Sequence, residues 1–430
     1  MKNYNVAIVG GGPAGMMAGI AAGKHLNNNP NIVLIEKTDS LGKKLLLTGG
    51  RRCNIANASP IKNQLDRFRD KNFLKHSFYS LTNEQLLAIF KEKGLEFKIE
   101  NGRYFPVTDD SKSILNILKD YLKELKIDIL LNSPVKSVSK NEKDLFKIKT
   151  SNSDIFSEKI IIATGGITYP QTGSSGDGYR IATDFGHSIA TLKPGLIPLK
   201  VKSEEFRKLS GITLEDVEVS FKQKNYSKNN SLKNKNKIVK VQGNVLITHF
   251  GLSGPGILDL SNFIIEDIIQ ENHDFNDSIF LDLVPKMSEE ELRKKIANDS
   301  QKYGKTKIKN YMKFYLKNRF IDFFLNIANV DGNVTLSNMR KKDKNKLIST
   351  IKQLAIEIDG ILAKEVAMIT CGGVNIKEIS PKTMESKLTN GLYIAGELLE
   401  PYGPTGGYNL QLAFSTGYLA GKSCTNSIKY

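Results

Sequence analysis

The chain reads as a doubly wound α/β domain whose two halves come from its two ends, interrupted by an inserted β-barrel-like region that carries a helical subdomain. Three observations predict this. An apolar run at 4–9 leads into Gly10, Gly12 and Gly15, then into a helical pattern through Ala14, Met17, Ala18 and Ala21, and then into a second apolar run at 31–36, which makes a β-α-β unit. From about His187 to Gly360 the pattern changes to alternating runs punctuated by Gly and Pro, as in an antiparallel sheet or small barrel. After Ile361 it returns to β runs, Gly-rich turns and a helical stretch from about Gly407 to Gly421.

Taken in order, the runs after the first β-α-β unit predict helices at 61–79, 82–93 and 111–126, with Thr82 and Gln85 spaced as a capping box. The pieces DILL, PVKSVSK, LFKIKT, DIFS and KIIIATGG across 128–166 read as a strand, a small meander and a return to the main sheet. GLIPLKV, LEDVEVSF, GNVLITHF and SIFLDLV supply barrel strands, and 288–350 alternates amphipathic helices with polar loops behind a Ser288/Glu291 capping pair. The predicted division is therefore 1–190 and 355–430 for the two parts of the first domain, 191–287 for the barrel-like insert and 288–350 for its helical subdomain.

With 430 residues, 40% hydrophobic and 25% charged, the chain is globular and long enough for two or three domains. Its apolar runs fall short of the length needed to cross a bilayer, and no secretory signal pattern opens it, so a soluble, cytoplasmic protein without membrane insertion is expected. Cys53, Cys371 and Cys424 form no C-x-x-C, which argues against a disulfide framework, a metal site and a dithiol reductase. The net charge of +17 favours anionic partners. Yet much of the excess lies in Lys/Asn-rich stretches, at 224–237 and 340–346, without interleaved aromatics for base stacking; these read as solvated surface, the first as an exposed loop, and argue against nucleic acid.

The chemistry begins at VAIVGGGPAG. Gly10 permits the tight turn, Gly12 lets backbone N–H groups approach a pyrophosphate, and Gly15 allows close helix–strand packing, with the helix N-terminus facing the negative charge. Glu36, 21 residues beyond Gly15, ends the second strand where a carboxylate accepts bonds from ribose hydroxyls and repels a 2′-phosphate. These residues favour FAD or NAD over NADP. No second G-x-G-x-x-G follows a strand, so no permanent second dinucleotide domain is expected.

Three further Gly-rich segments go beyond the fingerprint: LGKKLLLTGGRRCNIAN at 41–57, ATGGITYPQTGSSGDGY at 163–179 and AGELLEPYGPTGGYNLQLAFSTGYLAG at 395–421. With THFGLSGP at 248–255 and GGVNIKEISPKTMESKLTNGLYIAGE before the last of them, the chain resembles, over nearly its whole length, the BaiN/YhiN-like family of FAD/NAD(P)-dependent flavoproteins, some described as aminoacetone oxidases or as reductases of unsaturated steroids. The resemblance implies an FAD-binding Rossmann-type domain with the insert as a lid. It implies that Gly10, Gly12, Pro13, Ala14 and Gly15 hold the ADP half of FAD, that Glu36 holds its ribose with Lys37 beside it, and that the backbone at Val135 lies near the adenine. Ala163, Thr164 and Gly165 would line the same strand edge. Gly42, Lys44, Thr48 and Gly49 would lead to Arg52, Cys53 and Asn54 beside the isoalloxazine. Gly396 and Glu397 would approach the ribityl-phosphate chain. Gly407, Tyr408, Asn409, Leu410 and Gln411 would set a helix N-terminus near the flavin pyrimidine, where the positive helix end stabilises the charge gained on reduction. Gly50-Arg51 and Tyr402 depart from the family pattern.

For reactive groups the residues leave alternatives open. His249 is either a proton donor or acceptor or a strand-capping histidine, and Arg52 binds a substrate anion or flavin carbonyl or sits in a structural ion pair. Cys53 reads as a small loop residue rather than a redox thiol. The expected activity is two-electron, hydride-type transfer between an organic substrate and FAD, with a nicotinamide such as NAD(P)H visiting transiently, oxygen or a quinone as second partner. The rivals are a plain NAD-dependent dehydrogenase and an RNA-associated or non-catalytic flavin-binding protein. Oligomeric state stays open.

Overall fold

The computed structural model describes residues 2–26, 31–223, 237–269 and 277–426. The chain divides into two units, Met1–Pro194 with Met368–Tyr430, and Gly195–Ala367. The first opens with β1 (Lys2–Val9), α1 (Pro13–His25) and β2 (Ile32–Ile35). Every residue of β2 is buried, as are Val6 to Val9, because a central parallel strand has cover on both faces. Helix α1 is built almost wholly of Ala, Gly, Met and Ile and buries residues Ala14 to Gly23, so it is a core helix rather than an amphipathic surface one.

Next come β3 (Ala56–Asn57), α2 (Ile61–Leu65), α3 (Lys71–Ser80), α4 (Asn83–Lys91), β4 (Phe97–Glu100) and β5 (Arg103–Pro106). The helix expected over 61–79 is two helices, with Phe68 turned into the core between them. The capping box of Thr82 and Gln85 starts α4 as expected. A small antiparallel sheet in the order β3-β5-β4 was not foreseen. Its hairpin turns on Asn101-Gly102, both at positive φ, the geometry that a tight two-residue β-turn requires.

Then α5 (Ser111–Glu124), β6 (Asp128–Leu130), β7 (Val135–Lys140), β8 (Phe146–Thr150) and β9 (Asp154–Ile162) extend the main sheet, followed by α6 (Asp177–Asp184) and the short β10 (Lys193–Gly195). The order is β6-β2-β1-β9-β8-β7, parallel through β6, β2, β1 and β9 and antiparallel through the meander. DIFS and KIII form one strand rather than two.

The second unit holds a closed barrel of β11 (Leu199–Val201), β12 (Thr213–Gln223), β13 (Lys237–Thr248), β14 (Gly251–Ser253), β15 (Ser278–Asp282) and β16 (Leu354–Ile361), in the order β11-β14-β13-β12-β15-β16. Burial alternates along β16, the pattern of a strand with one face inside. Helices α7 (Glu204–Arg207), α8 (Pro255–Ile269), α9 (Glu289–Lys302), α10 (Ile308–Tyr311), α11 (Asn318–Ala328) and α12 (Lys341–Lys352) accompany it, and the Ser288/Glu291 box opens α9. The lysine-rich stretch 224–236, read as an exposed loop, lies outside the described residues.

The chain returns to the first unit through β17 (Ile369–Cys371), β18 (Leu392–Ile394) and α13 (Tyr408–Thr425). Strand β18 pairs in parallel with the last third of β9, Leu392 opposite Ile160, while β8 occupies the first part of β9 and β1 runs along its other edge. The two ends of the chain thus share one sheet and one core. No helix among the described residues is long and apolar enough to cross a membrane.

Candidate functional site

The β1–α1 turn separates glycines needed by the fold from one that is not. A β-carbon on Gly10, at φ 109°, would overlap the carbonyl of Ala163, and one on Gly15 would overlap the carbonyl of Gly10. Gly12 is different. It stands at φ −79°, ψ −176°, a conformation open to any residue, and a β-carbon there meets no atom within 4 Å. It is the N-cap of α1, without a side-chain cap, and Pro13 follows at the first helical position. The first rung of the helix is Met16 N–H to Gly12 carbonyl at 2.9 Å, so the N–H groups of Ala14 and Gly15 precede the ladder and point toward the open side.

Glu36 ends β2 beside this turn. It is buried, and its two carboxylate oxygens accept from the Gly11 and Thr38 N–H groups, each at 2.8 Å, which holds the side chain in place and leaves each oxygen one further acceptor position. Lys37 turns to Asp177 at 2.7 Å and to the Ser175 hydroxyl. The Val135 carbonyl, at the start of β7, accepts from Arg180 at 3.4 Å. Ala163 extends β9 by an N–H bond to Val9 at 2.8 Å, Gly165 follows at φ 74°, and the Thr164 hydroxyl oxygen is buried without a partner among the described residues.

Segment 42–54 is tied to the same turn by Gly42 N–H to the Gly11 carbonyl at 2.9 Å. Lys44 reaches Glu397 at 2.8 Å and Thr168 at 2.8 Å, while the Glu397 carboxylate also accepts from the Thr370 N–H at 2.8 Å. Thr48 donates to the Leu45 carbonyl. Gly49, Gly50, Arg51 and Cys53 all take positive φ, between 57° and 71°, a conformation that costs a residue with a side chain roughly 1–2 kcal/mol. Something else in the fold must hold Arg51 and Cys53 there. Arg52 does part of this: its guanidinium bonds Glu100 and Asp109, each at 2.7 Å, and lies 4.3 Å from the Phe105 ring centre. Asn54 does another part, its amide oriented to donate to the Ala56 carbonyl and accept from the Gly407 N–H. Cys53 is fully buried, and burial pushes its thiol up to about 12.

The third segment begins at Gly396, whose N–H donates to Thr416 and which packs on the Ala14 side chain. Helix α13 lies on α1 at the closest approach two backbones allow: β-carbons on Gly417 and Gly421 would overlap the carbonyls of Ala14 and Ala18. The two contacts step by four residues in the same sense on both helices, so α1 and α13 run parallel. Since Tyr408 lies nine residues before Gly417, and Pro13 only one before Ala14, the start of α13 stands roughly 12 Å ahead of the start of α1, both N-termini aimed the same way. Gly407 caps α13 at φ 92° against the Ala56 backbone. Tyr408 packs edge-on to Phe68, Asn409 holds the preceding loop through bonds to Gly403 and Pro404, and Leu410 packs on the core. Gln411 is buried, its amide nitrogen on the Leu81 carbonyl and the Ser415 hydroxyl.

His249 belongs to the second unit, exposed in the turn between β13 and β14 with its ring edge-on to Phe250. The residues that sequence reasoning missed are Thr370, Gly417 and Gly421. The two glycines, four apart in a predicted helix, carried a readable signal for close helix packing.

Comparison with known proteins gives a match to the family described as HI0933-like protein Rossmann domain over residues 4–423. A 3-dehydro-bile acid delta(4,6)-reductase of Clostridium scindens is 29% identical over 422 residues, covering 97% of this chain and 98% of that protein. A ribosomal RNA dihydrouridine synthase of Escherichia coli K12 is 26% identical, covering 97% of each. Among solved structures, a 3-ketosteroid-delta4-(5alpha)-dehydrogenase from Rhodococcus jostii RHA1 is 12% identical at a TM-score of 0.49, covering 99% of this chain and 97% of that one.

Proposed function

The chain belongs to the HI0933-like family of Rossmann-domain proteins, and from that premise we propose that it is an FAD-dependent oxidoreductase adding two hydrogens across a carbon–carbon double bond conjugated with a carbonyl. The observation that carries this is the stagger of the two parallel helix N-termini. The nearer, at Gly12, is open and uncapped as a diphosphate needs, and the farther, at Gly407, stands ahead of it, where its positive end would favour charge on a flavin pyrimidine. The residues present fit FAD: open space at Gly12, a fixed buried carboxylate at Glu36 with acceptor positions left, and the Lys44–Glu397 pair joining two segments far apart in sequence.

When bound, FAD supplies a two-electron carrier that passes hydride to or from the substrate. The chain's part is to hold and orient. The N–H groups at the start of α1 take the diphosphate, Glu36 accepts ribose hydroxyls, and the start of α13 favours negative charge on the pyrimidine edge. Arg52, neutralised by Glu100 and Asp109, serves to hold segment 49–54 rather than to bind an anion. His249 is our candidate for moving the proton. A nicotinamide is the natural second partner, visiting rather than residing.

The conjugated substrate class rests on what the two relatives' activities share: the delta(4,6) double bonds of a 3-dehydro-bile acid, and the base double bond lost when uridine becomes dihydrouridine. We favour a small organic substrate. A base within RNA is the second reading, supported by the ribosomal name and by the charge of +17. The test is to denature the purified protein, chromatograph what it releases, and then offer the reduced enzyme a steroid enone and ribosomal RNA separately under anaerobic conditions. A colourless chain that stays empty after incubation with FAD overturns the cofactor. Flavin that is reoxidised by RNA, with dihydrouridine appearing, overturns the small-molecule preference.

A further inference from the structure

We propose that Arg103 is the cation that stabilises negative charge on the pyrimidine edge of the bound flavin, and so sets its potential; this rests on the FAD reading above. Arg103 lies on β5 of the small sheet, opposite Glu100 on β4 and Asn57 on β3. Directly paired residues face the same side of a sheet, so Lys98, Glu100, Arg103, Phe105 and Asn57 share one face. Two carboxylates serve this face together with Arg52. Glu100 binds Arg52 at 2.7 Å and Lys98 at 3.1 Å, and Asp109 binds Arg52 at 2.7 Å and Lys98 at 2.5 Å. Both anions are thereby consumed by two cations, and the third cation, Arg103, is half-buried with no ion pair among the described residues. A partly desolvated guanidinium without a counter-charge is left available to a negative charge that develops on a ligand beside it.

Its position says which ligand. A β-carbon on Gly406 would stand 3.5 Å from Arg103 Nε and 3.6 Å from Asn57 Nδ2, and Asn57 itself donates to the Gly406 carbonyl at 3.1 Å. Arg103 therefore borders the glycine turn from which α13 starts, the helix end assigned above to the flavin pyrimidine. Guanidinium and helix end would act on the same charge, which is absent in oxidised flavin and present in reduced flavin.

The test compares full-length wild type, Arg103→Gln, Arg103→Met and Arg103→Lys, each reconstituted with FAD. Flavin content is read first, then the dissociation constant for sulfite, which bonds through sulfur to flavin N5 and leaves its electron pair's charge on the pyrimidine edge, and then the midpoint potential. In Gln or Met, whichever folds, sulfite binding should weaken about tenfold, the worth of one charge-assisted contact. The same factor is a fall of about 30 mV for a two-electron couple. Lys should recover most of both. Unchanged sulfite affinity and potential in flavin-loaded Gln and Met variants overturns the role of Arg103 while leaving the FAD reading standing. A wild-type chain that takes up no FAD overturns both.

Discussion

Replacing Gly12 with valine should separate cofactor binding from folding. The backbone at φ −79°, ψ −176° accepts a branched residue, and the added β-carbon meets no protein atom within 4 Å. The expected cost to the empty protein is only that of a poorer N-cap, about 1 kcal/mol, which lowers the melting temperature by roughly 2–4 °C. The cost to FAD is larger, because the isopropyl group takes the space in front of the Ala14 and Gly15 N–H groups. Two bonds to a charged diphosphate are worth roughly 1.5–3 kcal/mol each, so affinity should fall about 10²- to 10⁴-fold. Gly15→Val supplies the contrast, since its β-carbon would overlap the Gly10 carbonyl and the fold itself should fail. Titration of apoprotein with FAD and thermal unfolding of the empty proteins measure both. Wild-type FAD affinity in Gly12→Val, or an unfolding loss as deep as that of Gly15→Val, refutes the reasoning.

Glu36→Ala should weaken FAD by roughly 1–3 kcal/mol and also destabilise the empty protein, because the Gly11 and Thr38 N–H groups lose their acceptor; an unchanged titration removes Glu36 from the site. Cys53, its thiol pushed up to about 12 by burial, should resist alkylation at neutral pH in the folded protein, and rapid labelling without unfolding would contradict the burial. Arg52 and Lys98 hold the Glu100 carboxyl below its ordinary 4.5, and Lys98 and Arg52 hold Asp109 below 3.8. Folded values depressed in this way add stability that is complete above about pH 4.5 and drains as pH falls through the lower folded values. Melting curves across that range should therefore slope less in Arg52→Ala than in wild type, and equal slopes would sink the network. His249→Asn should slow substrate-driven flavin reduction by roughly a hundredfold with FAD content and melting unchanged; a normal rate with a lowered melting temperature assigns the histidine to structure.

Local pattern carried much of the architecture. The apolar run before the first glycines, the two capping boxes and the alternating runs of the barrel each rest on neighbours within a few residues, and each appears as read. Helix α8 was missed although its apolar residues follow THFGLSGP directly, and the β4–β5 hairpin was missed although Asn-Gly stood between two alternating runs. Other features had no local trace. Arg52 finds its partners 48 and 57 residues downstream, and the Lys44–Glu397 pair joins positions 353 apart, so only the assembled sheet brings these charges together. Whether Arg52 meets an anion or a structural ion pair stayed open in the sequence, because the two acids that bond it lie on the strand and loop of a sheet whose first strand is two residues long.

The glycines sort themselves by what would replace the missing side chain. At Gly10, Gly15, Gly407, Gly417 and Gly421 the answer is backbone, which any homologous packing of α1, α13 and β9 would demand whether or not a cofactor ever bound. At Gly12 the answer is nothing, and its dihedral angles ask for no glycine either. An N-cap is also the position where Ser, Thr, Asp or Asn would strengthen the helix. A residue that neither packing nor backbone strain requires, placed where a better cap was available, is explained by something outside the protein that must come close to the helix end. Gly12→Ser is therefore a sharper probe than valine: the hydroxyl should raise the melting point of the empty protein by capping α1 while still lowering its affinity for FAD.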